Sequence, residues 1–71
     1  MVEYLIRIYT KEYKLECTVE QIFLKALTIA EMIFKDEKVE KIEIYSIKIA
    51  TMNQDTNLVK TLTKKEQDNE I

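Results

Sequence analysis

The sequence predicts a small α+β domain in which one helix lies on a single face of an antiparallel sheet, in the order β-β-α-β-β. Two observations carry this. Apolar residues recur at helical spacing in one place only, Thr18 to Lys35, and they recur at a period of two on either side of it. A third observation sets the strand order. Val2–Tyr9 and Val39–Ile49 carry apolar side chains on both faces, as central strands do, which places the strands as 2-1-3-4.

The first strand alternates, with Val2, Tyr4, Ile6 and Ile8 on one face and Glu3, Leu5, Arg7 and Tyr9 on the other. β-Branched and aromatic residues dominate it. Thr10, Lys11 and Glu12 form a turn without the Asn-Gly that fixes turn type. Tyr13, Leu15, Cys17 and Val19 then alternate with Lys14, Glu16 and Thr18, a half-exposed strand paired back on the first.

The helix gathers Ile22, Phe23, Ala26, Leu27, Ile29, Ala30, Ile33 and Phe34 on one side. Thr18 and Gln21 have the spacing of a capping box, and Cys17 with Ile22 that of a hydrophobic staple, so the helix is expected to begin at Thr18. Phe23, Leu27 and Phe34 are the expected central knobs. At the exit there is no Gly for a left-handed cap, and Asp36-Glu37-Lys38 is the expected break.

From Val39 the period is two again, with Ile42 and Ile44 on one face and Ile47 and Ile49 on the other. The phase slips across Tyr45-Ser46, by a β-bulge or because both faces are covered. Asn53 to Asn57 reads as a turn and Leu58 to Thr63 as a short fourth strand, a short helix being the alternative. Residues 1–63 then form one domain, and 64–71, charged and amide-rich, are expected to be a disordered tail.

Composition narrows the function classes. Seventy-one residues allow one domain near the lower size limit for independent folding. There is one Cys and no His, so neither an internal disulfide nor a zinc site is expected, and no cofactor is implied. The lack of His removes the commonest general acid–base near neutral pH, and the lack of Gly removes phosphate-cradling loops. Ser46 is the only serine and has no evident base beside it. Cys17 precedes a helix start, where thiols can be activated, but shares a face with Leu15 and Val19 and reads as a buried inert thiol. The pairs Glu16/Glu20 and Asp36/Glu37 read as surface charges. An enzyme is not expected.

A net charge of −2 with interleaved signs argues against a nucleic-acid binder. The alternative is kept all the same: Tyr9 and Tyr45 beside Arg7, on an exposed sheet face, could stack single-stranded bases. No apolar run is long enough to span a bilayer and no signal peptide is evident, so a soluble cytoplasmic protein is expected. Heavy use of Ile and Lys without Gly or Pro is the drift of an AT-rich coding sequence, which suits a phage or mobile element of a low-GC bacterium.

The informative residues are apolar ones with no obvious cover. One helix cannot shield both faces of a sheet. The far face should carry Leu5, Arg7, Tyr9 and Tyr45, with Ile47 and Ile49 as further candidates, while Leu24 and Met32 fall off the main helix stripe. Single exposed apolar residues are ordinary on protein surfaces; a contiguous set points to an interface, most simply a two-fold homodimer. The expected function is a non-enzymatic protein-interaction module that self-associates, with a host protein as a further partner.

Overall fold

A computed structural model describes residues 2–49 and 54–64, without the side chains at positions 17–20, 49 and 54. Strand β1 (Val2–Thr10) is followed by β2 (Lys14–Glu20), helix α1 (Phe23–Phe34), β3 (Val39–Ile49) and β4 (Gln54–Thr63). The four strands form one antiparallel sheet in the order β2-β1-β3-β4, as the two doubly apolar strands required.

The helix lies on the face carrying Ile6, Ile8, Ile42 and Ile44, all buried with Val39. Its points of closest approach are not the aromatic knobs expected from the sequence. Ala26 and Ala30 are fully buried, whereas Phe23, Leu27, Ile33 and Phe34 are half-buried around them. The small side chains let the helix sit low on the sheet. The larger ones then spread to its flanks, where Phe23 meets Tyr4 edge-to-face at 5.5 Å between ring centroids.

The helix begins later than expected. Thr18 belongs to β2, and the first cap position is Ile22, in extended backbone with no side-chain capping bond. β2 continues to Glu20, whose backbone pairs with Tyr4. A run of ladder hydrogen bonds outweighs the roughly 1 kcal/mol that one capping residue supplies. Thr18 is therefore a strand residue rather than the helix cap, and the side-chain contacts expected of Cys17 and Thr18 lie outside the described residues.

At the exit, the missing Gly is replaced by tightening. Lys35 N–H donates to Met32 C=O at 3.3 Å and Asp36 N–H to Ile33 C=O at 3.0 Å, three-residue closures of the 3₁₀ kind. The Asp36 carboxylate then accepts from Lys38 N–H at 2.9 Å, and no described residue has positive φ. Lys64 closes this end. Its ammonium donates to Asp36 C=O at 2.7 Å and sits over the Phe34 ring at 4.9 Å. The first residue of the expected tail is thus tied to the helix terminus; residues 65–71 lie outside the described residues.

The phase slip in β3 has a definite origin. β3 pairs with β1 in unbroken alternation from Lys41 to Lys48, so Ile42 and Ile44 face the helix while Tyr45 and Ile47 face away. The irregularity lies in β4, where Ile44 pairs with Lys60 but Tyr45 with Leu58, leaving Val59 as the extra residue. β4 also starts earlier than the sequence suggested, Gln54 to Asn57 being strand rather than turn. The hairpin between β1 and β2 is held by Thr10, whose hydroxyl accepts from Glu12 N–H at 3.2 Å and Tyr13 N–H at 3.1 Å.

Candidate functional site

Away from the helix, the sheet presents side chains in cross-strand rows. Tyr9 lies beside Lys41, Arg7 beside Glu43, Leu5 beside Tyr45 and Glu3 beside Ile47. β4 extends these rows with Thr61 next to Glu43, Leu58 next to Tyr45 and Thr56 next to Ile47. The face therefore has two halves: one polar, one largely apolar.

The polar half is built around Glu43, a carboxylate only 9% exposed. Tyr9 Oη and Tyr45 Oη each donate to its Oε1 at 2.7 Å, and Lys41 Nζ stands 3.3 Å from Oε2. Burial pushes the Glu43 pKa up, but the bonds from Tyr9, Tyr45 and Lys41 together outweigh it and hold the group below its ordinary value. The same contact, with desolvation added, raises the Tyr45 hydroxyl. Arg7 joins the row from β1: Nη2 lies 2.6 Å from Glu16 Oε2, and Nη1 reaches Tyr45 Oη at 3.4 Å.

Both tyrosine rings of this half already carry a cation. Arg7 Cζ sits 4.9 Å from the Tyr45 centroid and Lys41 Nζ 4.9 Å from that of Tyr9. Base stacking on these rings would have to displace those cations, and each of them is neutralised by a neighbouring carboxylate. This arrangement weighs against the single-strand reading.

The apolar half consists of Leu5, Tyr45 and Ile47, half-buried, with Leu58 at the edge, 52% exposed. No described element covers it. The other two residues singled out from sequence lie elsewhere. Leu24 and Met32 stand on the outward side of α1, 69% and 65% exposed, on the opposite surface of the molecule. Thr28, between them, donates its hydroxyl to Leu24 C=O at 2.8 Å, so its polar atom is turned into its own helix. The seven residues thus form two surfaces, five on the sheet and two on the helix.

Sequence reasoning missed Glu43. Its parity with Tyr45 on β3, opposite the chain's sole Arg, was the available signal. Among the described residues no cluster of side chains could hold a metal ion, and no helix is long and apolar enough to cross a membrane. A cleft at the turn end of the sheet, bordered by Tyr9, Lys11, Glu37, Glu40 and Lys64, is open and mixed in charge. No family model, curated protein or solved structure matches the chain.

Proposed function

We propose that this protein is a non-enzymatic interaction module that works by self-association. The observation that supports this reading is the row Leu5–Tyr45–Leu58 with Ile47 beside it, an apolar surface on the sheet face that the single helix leaves uncovered. The polar half of the same face supports the reading too, because its carboxylates and cations satisfy one another. A network whose members are already paired tolerates being covered by a partner far better than isolated charges do. Nothing in this network resembles a reacting centre: Glu43 is held ionised by three donors rather than poised to exchange a proton.

The AT-rich composition supports, within the same reading, a cytoplasmic accessory protein of a phage or mobile element whose other partner is a host protein. The deciding measurement is sedimentation of the full chain between about 1 and 100 μM, the range in which modest interfaces assemble. A dimer is expected, and Leu5→Lys should dissociate it; a strict monomer throughout that range would remove the self-association reading.

A further inference from the structure

We infer that the second copy docks face to face on this sheet, about a two-fold axis that crosses the strands along the row Leu5–Tyr45–Leu58. The inference rests on the self-association reading and adds to it the surface and the register.

Two features select this face and this axis. The first is self-complementary charge. Along β1 the outward residues run Glu3, Leu5, Arg7, with Leu5 midway between opposite charges. An axis perpendicular to the strands at Leu5 lays each strand antiparallel over its own copy. Glu3 of one protomer then stands over Arg7 of the partner, and the reverse, while Leu5, Tyr45 and Leu58 each meet themselves. Arg7 has donor capacity for this, since a guanidinium carries five N–H donors, its bond to Glu16 engages Nε and Nη2, and the Nη1 contact to Tyr45 is a longer one at 3.4 Å. An axis along β1 itself would instead set Arg7 against Arg7.

The second feature is area. The chosen row lies next to the midpoints of β1, β3 and β4, so the two sheets overlap almost completely. At 3.3 Å per residue and 4.8 Å per strand, a four-stranded sheet of this size offers roughly 600 Å² of flat face before side-chain relief is added. That is close to the roughly 800 Å² per partner of a standard interface. The outward stripe of a twelve-residue helix, about 18 Å long and 10 Å wide, falls far short of it. The product is an eight-stranded sandwich with aligned sheets and one helix on each outer surface.

The test is sedimentation equilibrium of the full chain at low salt, with circular dichroism confirming that each variant folds. Glu3→Arg and Arg7→Glu, each alone, should weaken the dimer by about tenfold or more, because each sets like charges in opposition twice. An equimolar mixture of the two variants should recover association, since the Glu3→Arg protomer then sets two cations over the two carboxylates of the Arg7→Glu protomer. If Arg7→Glu fails to fold, Glu3→Arg with Leu5→Lys carries the test: both should weaken the dimer while Leu24→Lys leaves it intact. A dimer indifferent to Glu3→Arg and Leu5→Lys but broken by Leu24→Lys would overturn the inference and leave self-association standing. A wild-type monomer would remove both.

Discussion

Glu43 shows how a single side chain sets the character of a surface. A carboxylate this buried is tolerated only because three donors converge on it, two hydroxyls at 2.7 Å and one ammonium at 3.3 Å. Its folded pKa lies below the ordinary 4.5. In the unfolded chain the group therefore takes up its proton first as pH falls. The stabilisation is fully present above pH 4.5 and is lost as pH drops through the lowered folded value. Glu43→Gln should remove this acid-side dependence, so that the variant's unfolding midpoint varies less below pH 4.5 than the wild type's. Parallel midpoint curves for the two proteins would show that the network contributes nothing ionic. Tyr45 works in the other direction. Its raised pKa means that stability is lost as pH rises past 10.0, when the unfolded chain ionises first.

At the scale of the elements, the helix–sheet contact is set by two alanines. Ala26 and Ala30 have no exposed surface, so a larger side chain there has no room without lifting α1 off the sheet. Ala30→Leu is expected to destabilise by about 1–3 kcal/mol, and Ile44→Ala, which empties the facing sheet position, by about 2–5 kcal/mol. Denaturant midpoints at constant slope measure both; an Ala30→Leu variant as stable as wild type would mean the helix rides higher than the contact implies. Lys64→Ala should cost about 1 kcal/mol, since it deprives the Asp36 carbonyl of its ammonium and the Phe34 ring of its cation. The strand order was legible because only central strands tolerate apolar residues on both faces, and β1 and β3 both show them. The helix start was not legible. Thr18 and Gln21 carry a real capping signal, but whether the ladder to β1 runs on to Glu20 is a property of two strands together. The alanine contacts were hidden for a similar reason: periodicity reports which side of a helix faces inward, not how closely it approaches. The outward face was half legible. Leu5, Arg7, Tyr9, Tyr45 and Ile47 share it as their parity required, yet the convergence on Glu43 depends on the cross-strand pairing of Arg7 with that residue.

For the molecule as a whole, size and shape point the same way. A compact domain of this length has a radius of gyration of about 11 Å, whereas this one measures 13.2 Å, with extents of 47 × 23 × 18 Å. The longest strand, eleven residues or about 36 Å, supplies most of the long dimension, and the helix on it has twelve residues. At 1.5 Å per residue against 3.3 Å, the helix reaches about half the strand's length. Beyond it, the helix-side face turns polar, with Ser46 paired to Asn57 and Lys48 to Asp55. On β3 and β4 the apolar residues at that end lie on the other face, as Ile47 and Leu58. A small chain with no internal disulfide and seven buried apolar residues among those described gains from any surface it can add. Association through the outward face would add that surface, and stability would then depend on concentration by mass action. For a domain of this size, a tenfold rise in protein concentration should lift Tm by about 3–5 °C. Leu5→Lys should abolish that dependence while retaining the fold. A wild-type Tm unchanged between about 5 and 500 μM would mean that the core beneath the helix suffices alone, and the apolar row would then need a partner other than itself.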